Sequence, residues 1–218
     1  MAKAVIVGAS GLVGNHLLNI LLQSAAYKEV AVLVRKELPV QHPKLKQVVI
    51  DFEQLLAFGK DINGHALFCC LGSTRKKTPD MAVYQKIDRD YPLQLAQIAL
   101  KNGIAQYHLV SALGANASAS NFYRKMKGEV EADVQQVGLS CLHIYRPSLL
   151  TGDRSEKNRT AEKFASALFK LINPLLVGSL KKYRSIPAVT VAQAMYKQSL
   201  IKKEGVFIHL SDEIKEIA

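Results

Sequence analysis

Apolar and polar positions alternate in two different rhythms along the first 150 residues of this 218-residue chain. Short runs rich in Val, Ile and Leu predict strands buried on both faces, and longer stretches with apolar residues at helical spacing predict helices. The predicted strands cover residues 4–7, 29–34, 46–50, 66–71, 107–110 and 142–145. Strands that alternate with helices predict an α/β fold with a doubly wound parallel sheet, as in a Rossmann domain.

Helical spacing predicts helices at residues 15–22, 53–58, 81–101, 122–137, 161–172 and 189–200, and a further short strand is predicted at 206–208. No repeat or linker interrupts this pattern, so residues 1–218 are predicted to form a single domain. Residues 151–218 are less regular than the rest. We expect them to form a small C-terminal lobe over the carboxyl ends of the strands, where ligands bind in open parallel sheets.

Three glycines follow the first predicted strand at intervals of three residues, namely Gly8, Gly11 and Gly14. The first allows a sharp turn, the second leaves room for a pyrophosphate, and the third lets the next helix lie close to the sheet. The free N–H groups of the first helical turn can then hold an anion. A tight turn without a ligand is the alternative, but the position between the first strand and the first helix favours a dinucleotide.

The end of the second predicted strand indicates which dinucleotide is bound. Sheets that bind NAD carry an acidic residue there for the ribose 2′-hydroxyl, whereas this chain has Arg35 followed by Lys36. A guanidinium can bind a 2′-phosphate through two hydrogen bonds, which favours NADP(H) over NAD(H). A surface arginine that ends a strand is the alternative. Asp51, at the end of the third strand, either faces the adenine amino group or caps the following helix.

A candidate reaction site lies near the fifth predicted strand. Tyr123 and Lys127 are four residues apart and therefore share one face of a predicted helix. An ammonium stabilises a phenolate, which makes a neighbouring tyrosine a better proton donor. Ser111 directly follows the strand, and its hydroxyl can hold a substrate carbonyl oxygen. These three residues predict proton exchange coupled to hydride exchange with a nicotinamide. An exposed tyrosine–lysine pair without chemistry is the alternative.

The three glycines, Ser111 and Tyr123-x-x-x-Lys127 together resemble the short-chain dehydrogenase/reductase superfamily. Residues 68–75, 88–91, 120–123, 127–131 and 146–147 are similar to its atypical, Tat-interacting oxidoreductase-like branch. This resemblance implies a Rossmann fold, bound NADP(H) and catalysis by Ser111, Tyr123 and Lys127. Besides the glycines and Arg35, it implies cofactor contacts from Ser10, Leu12, Val13, Asp51, Phe52, Leu71, Gly72, Thr74 and Pro147. Asp88 stands where many relatives carry a site asparagine.

The charge and composition of the chain limit the kinds of partner that it is expected to bind. The net charge is +11, and residues 151–218 hold 12 basic and seven acidic side chains. Basic residues from Arg154 to Arg184 therefore predict either an anionic substrate or a solvated face. We do not expect nucleic acid as a partner, because aromatic and basic residues are not interleaved and no nucleic-acid motif is present. No apolar run is long enough to span a membrane.

The cysteines and histidines show no metal-ligand spacing, so no metal site is expected. Three cysteines without disulfide spacing indicate a reducing compartment, and we expect a cytoplasmic protein. The sequence predicts an NADP(H)-dependent oxidoreductase acting on a small carbonyl or alcohol substrate. An NADP(H)-sensing regulatory protein that binds a protein partner without turnover is the alternative. The resemblance also suggests a homodimer that pairs through the helices predicted at 81–101 and 122–137.

Overall fold

The computed structural model describes residues 2–152 and 176–218. Seven parallel strands form its main sheet, in the order β3-β2-β1-β4-β5-β6-β9. Their bounds are β1 Ala2–Val7, β2 Tyr27–Val34, β3 Leu45–Val49, β4 Ala66–Cys69, β5 Gln106–Val110, β6 Cys141–Arg146 and β9 Gly205–Leu210. The strand order reverses between β1 and β4. In open parallel sheets ligands bind outside the carboxyl ends at such a point.

Helices cover both faces of this sheet. They are α1 Leu12–Gln23, α2 Met81–Gln85, α3 Tyr91–Lys101, α4 Phe122–Gln136, α5 Ala188–Ser199 and α6 Ser211–Ile217. One core contains Leu17 of α1 and Met195 of α5, which pack with Phe68 on one face. The other core contains Leu95 of α3 and Val130 of α4 on the opposite face. Apolar residues on both faces explain why the strands are continuous apolar runs.

The structure confirms the predicted α/β fold with a doubly wound parallel sheet, and all seven predicted strands lie in it. The helix predicted at 81–101 is interrupted by a π-helical turn at Lys86–Asp90. The helix predicted at 53–58 is replaced by short 3-10 turns at Phe52–Gln54 and Gly59–Asp61. The helix predicted at 161–172 lies outside the described residues.

The described part of residues 151–218 contributes to the main sheet and to a second, smaller sheet. Strand β9 extends the main sheet beside β6, and α5 packs on α1. Two short strands that the sequence pattern did not reveal, β7 Leu150–Thr151 and β8 Ile186–Pro187, pair in a separate parallel sheet. A 3-10 helix at Gly178–Tyr183 precedes β8, and α6 follows β9. Strands of two residues are too short to produce a recognisable apolar period.

A row of stacked rings crosses the sheet on the face covered by α1 and α5. His108 stacks between Phe68 and His143, with ring centroids 4.6 and 4.7 Å away, and His143 continues the row to Phe207 at 5.0 Å. His143 Nδ1 lies 3.0 Å from His209 Nε2. Burial holds the pKa of His108 well below its ordinary value and lowers the pKa of His143 to about 4. The row is therefore uncharged in the folded protein at neutral pH.

This row predicts that the protein loses stability in mild acid. Its contribution is complete above the ordinary histidine pKa of 6.5 and is lost as the pH falls from 6.5 towards about 4, because the unfolded chain binds protons that the folded chain does not. Each such histidine removes up to about 1.4 kcal/mol of unfolding free energy per pH unit. Urea unfolding across this range measures the slope.

A matched pair of variants tests whether the row of rings causes this loss of stability. His143→Gln should reduce the slope by about one proton's worth. His16→Gln, at a half-buried position on α1 outside the row, should leave the slope unchanged. A slope that is the same in His143→Gln and in the unmodified protein would contradict the role of the row.

Candidate functional site

The glycine loop between β1 and α1 is packed backbone against backbone. Gly8 has a φ of +88°, and a Cβ there would lie 2.6 Å from the carbonyl oxygen of Cys70 at the end of β4. A Cβ on Gly14 would lie 2.2 Å from the carbonyl oxygen of Gly8. Both distances are far below van der Waals contact, so only glycine allows β1, β4 and α1 to approach this closely.

The same loop leaves the N-terminus of α1 open. Gly11 is the N-cap, and among the described residues no side chain caps the helix. Ser10 is exposed and Leu12 is half-buried, whereas the Val13 side chain is buried, so Val13 could contact a ligand only through its backbone. N–H groups of a first turn with the helix dipole behind them attract anions. This cradle fits the pyrophosphate of a dinucleotide.

Residues at the ends of β2 and β3 border the same edge of the sheet. Arg35 directly follows β2 and is exposed, and it forms no salt bridge with any residue in the described ranges. The Asp51 carboxylate accepts a hydrogen bond from the Glu53 N–H at 3.0 Å, so it caps the following 3-10 turn. The ring of Phe52 packs in the core against Tyr91, with centroids 5.5 Å apart, which leaves only its backbone for a cofactor.

The loop after β4 is held by a buried carboxylate. Leu71 is half-buried, and Gly72 and Thr74 are exposed at the sheet edge. The backbone N–H of Ser73, which lies between Gly72 and Thr74, donates to Asp88 Oδ2 at 2.8 Å. Asp88 is in the π-helical turn, which is a feature that often marks functional sites in helices.

Asp88 also forms a buried ion pair. Its Oδ1 lies 2.8 Å from Lys127 Nζ, and the two side chains are 1% and 4% exposed. Burial by itself lowers the pKa of Lys127, but Asp88 and then Tyr123 raise it by more, so the pKa lies above its ordinary value. Lys127 is therefore an ammonium ion whose charge is balanced inside the protein.

Tyr123 lies one helical turn before Lys127, in the first turn of α4. It is 38% exposed, and the turn is fixed by Asn121, whose side chain accepts from the Arg124 N–H at 3.1 Å. A second tyrosine, Tyr84 of α2, is buried beside it. Burial raises the pKa of Tyr84 to about 12, and the charges of Asp88 and Tyr123 add to this effect. Tyr123 is thus the tyrosine of this pair that presents its ring to solvent.

Ser111 belongs to a hydrogen-bond network with Glu131 and Arg146. Its Oγ donates to the carboxylate of Glu131, which is 2% exposed and lies one turn after Lys127 on the same face of α4. Arg146 Nε donates to both oxygens of this carboxylate, at 3.1 and 3.0 Å. A serine hydroxyl has one proton, so in this arrangement Ser111 can only accept hydrogen bonds from a ligand.

The remaining candidates are distributed as follows. Pro147 is buried after β6, and its carbonyl accepts from the Leu113 N–H at 2.9 Å. Arg184 Nε donates to the carbonyl of Leu176 at 2.8 Å, while Arg154 lies outside the described residues. Within the described ranges, no group of three or more His, Cys, Asp or Glu side chains could hold a metal ion. No described helix is both long and apolar enough to cross a membrane.

The structure thus places Tyr123 one helical turn before Lys127, but it pairs Lys127 with Asp88 and Ser111 with Glu131. No role was predicted from the sequence for Glu131 or Arg146. A usable signal existed for Glu131, because Tyr123, Lys127 and Glu131 recur every four residues and share one helical face. No comparable signal connects Arg146 to this helix, because the contact forms only when β6 lies beside β5.

Comparison with known proteins agrees with this geometry. The family model described as NAD(P)H-binding matches residues 8–170. Protein HTATIP2 from Rattus norvegicus is 36% identical over 194 residues, which cover 87% of this chain and 78% of that protein. Protein FMP52, mitochondrial, from Saccharomyces cerevisiae is 33% identical over 165 residues, which cover 72% of this chain and 70% of that protein.

Solved structures support the fold. The Bordetella bronchiseptica enzyme WbmH in complex with NAD+ aligns with a TM-score of 0.72 at 16% identity, covering 99% of this chain and 79% of that chain. The oxidoreductase ylbE from Lactococcus lactis aligns with a TM-score of 0.64 at 19% identity, covering 98% of this chain and 95% of that chain. At this level of identity the likeness concerns the fold alone.

Residues 8–170, which the family model matches, include the glycine loop, the ion pair of Asp88 and Lys127, and Ser111 with its partner Glu131. The chain therefore matches a family that binds nicotinamide dinucleotides. On these grounds the chain belongs to the NAD(P)H-binding Rossmann proteins, in the atypical branch of the short-chain dehydrogenase/reductase superfamily that includes the Tat-interacting oxidoreductase-like proteins.

Proposed function

We propose that this protein is an NADP(H)-dependent oxidoreductase that interconverts a small carbonyl compound and its alcohol. The observation that carries the proposal is the exposed residue Tyr123 one helical turn from Lys127, a buried ammonium ion paired with Asp88. When bound, the nicotinamide supplies or accepts the hydride. The residues of the chain bind and orient the cofactor and the substrate, and they exchange the proton.

The glycine cradle and the N-terminus of α1 would hold the pyrophosphate, through Gly11 and the backbone of Ser10, Leu12 and Val13. Arg35 would hold the 2′-phosphate, because it is exposed, charged and without a carboxylate partner among the described residues. Leu71, Gly72 and Thr74 would border the dinucleotide on the β4 side, together with the backbone of Phe52. These assignments use the residues that line the edge at which the strand order reverses.

Tyr123 is the proton donor to a carbonyl oxygen in reduction, and Lys127 stabilises the phenolate that remains. Ser111 contributes as a hydrogen-bond acceptor while its proton is directed to Glu131, which suits the hydroxyl of an alcohol substrate. For a carbonyl oxygen, the Ser111 hydroxyl must turn away from Glu131. Pro147, after β6, would border the nicotinamide.

A second candidate function is an NADP(H)-sensing regulatory protein without meaningful turnover. It is favoured by the internal partners of two candidate site groups, because Lys127 pairs with Asp88 and Ser111 donates to Glu131. Bound cofactor with no reduction across a broad panel of aldehydes and ketones would support this sensor. Turnover of any panel member that depends on Tyr123 would support the oxidoreductase.

Location and assembly are also part of the proposal. Three unpaired cysteines suit the cytoplasm, while the names of fungal relatives include the word mitochondrial, so cell fractionation decides between the two compartments. The exposed apolar residues Val83, Leu100 and Phe122 on α2, α3 and α4 suit a homodimer, which analytical ultracentrifugation tests.

The proposed role of Arg35 predicts that the protein prefers NADPH to NADH. NADPH should bind more tightly than NADH by about 1–3 kcal/mol, the contribution of charged hydrogen bonds to a phosphate, and Arg35→Asp should abolish or reverse this difference. Lys28→Asp makes the same charge change at the other end of β2 and should preserve the preference. Calorimetric titration of both cofactors measures it, and equal affinities in the unmodified protein would refute the assignment.

The proposed role of Tyr123 predicts that removing its hydroxyl lowers turnover without lowering the affinity for the cofactor. Tyr123→Phe removes only the hydroxyl, so kcat should fall by about 10²–10⁴-fold while NADPH affinity stays nearly unchanged. Tyr84→Phe is the matched control, because it removes a neighbouring buried hydroxyl and should keep most of the turnover. NADPH consumption with the carbonyl panel measures both variants. The reverse pattern would make Tyr84 the donor.

A further inference from the structure

We propose that Asp88 determines which oxidation state of the cofactor the protein prefers, by cancelling the charge of Lys127 and so favouring the oxidised form. This inference rests on the proposed function. Its geometric basis is the 2.8 Å ion pair between Asp88 Oδ1 and Lys127 Nζ. The carboxylate lies beside Gly72 at the end of β4, where a Cβ on Gly72 would be 3.5 Å from Asp88 Oδ1.

The hydrogen bonds of Asp88 do not by themselves require a charge. Its second oxygen accepts from the Ser73 N–H at 2.8 Å, a bond that an asparagine oxygen could accept equally well. Burying a carboxylate at 1% exposure carries a desolvation cost that an amide would avoid. The feature that aspartate adds at this position is a negative charge directly beside Lys127.

That charge matters because the two forms of the cofactor differ mainly at one ring. The oxidised nicotinamide carries a positive charge and the reduced one does not, whereas the ribose and phosphate groups are the same. An unbalanced ammonium at Lys127 would repel the oxidised ring. With Asp88 ionised, the pair is neutral and this repulsion is removed. The other buried carboxylate nearby, Glu131, is balanced by Arg146 and leaves this charge count unchanged.

The experiment compares the dissociation constants of NADP+ and NADPH, by calorimetry, for the unmodified protein, Asp88→Asn and Asp90→Asn. Contacts common to both forms cancel in the ratio of the two constants. Asp88→Asn should shift this ratio towards NADPH, on the order of 3- to 10-fold, which is the effect of one unit charge whose field is strongly screened. Asp90→Asn makes the same change two residues later, at a half-buried position, and should leave the ratio unchanged.

The measurement is made at about pH 6 and about pH 8, because a buried lysine without its partner loses its proton more easily and the shift should be larger at the lower pH. The double variant Asp88→Asn/Lys127→Met contains neither charge and should restore the ratio of the unmodified protein. Should circular dichroism show Asp88→Asn to be unfolded, Lys127→Met carries the test, since it leaves the carboxylate unbalanced and should shift the ratio towards NADP+.

The outcomes separate the two proposals. An unmodified protein that binds neither NADP+ nor NADPH would overturn the proposed function. A protein that binds both, with the same ratio in Asp88→Asn at both pH values, would overturn the role of Asp88 and leave the proposed function standing. A shift of equal size in Asp90→Asn would also overturn it, because the effect would then be one of general charge.

Discussion

The buried ion pair between Asp88 and Lys127 is the interaction on which the candidate site depends. Each charge would be costly alone in this position, so the pair persists only while both side chains stay in place. Asp88 is placed by the π-helical turn between α2 and α3, and Lys127 by α4. The same carboxylate binds the Ser73 N–H. One side chain therefore joins the loop after β4 to the helix that carries Tyr123.

Close backbone packing sets the opposite side of the site. Gly8 and Gly14 bring β1, the end of β4 and the N-terminus of α1 to distances that any side chain would prevent. The uncapped helix N-terminus is left at the edge of a sheet whose two faces are fully occupied by apolar cores. Rigid packing beneath and open N–H groups above are the requirements of a dinucleotide cradle.

Most polar groups around Lys127 and Ser111 are paired with one another. Ser111 donates to Glu131, Glu131 is bound by Arg146, and Lys127 is bound by Asp88. Tyr123 is the exception, being exposed in the first turn of α4. This arrangement is compatible with a reaction in which Tyr123 exchanges the proton and the paired polar residues hold its surroundings in place. It is equally suited to a site that distinguishes two forms of a cofactor, and the two functions share the same residues.

The sequence by itself determined the features that local spacing encodes. Apolar runs and helical periods gave the parallel sheet, the glycine triplet located the cradle, and the four-residue interval joined Tyr123 to Lys127. Only the tertiary structure decided the contacts between Ser111 and Glu131, and between Arg146 and the same carboxylate. These residues come from β5, α4 and β6, and periodicity within one element carries no information about which polar side chains meet across elements. Packing of the sheet and its helices makes that choice.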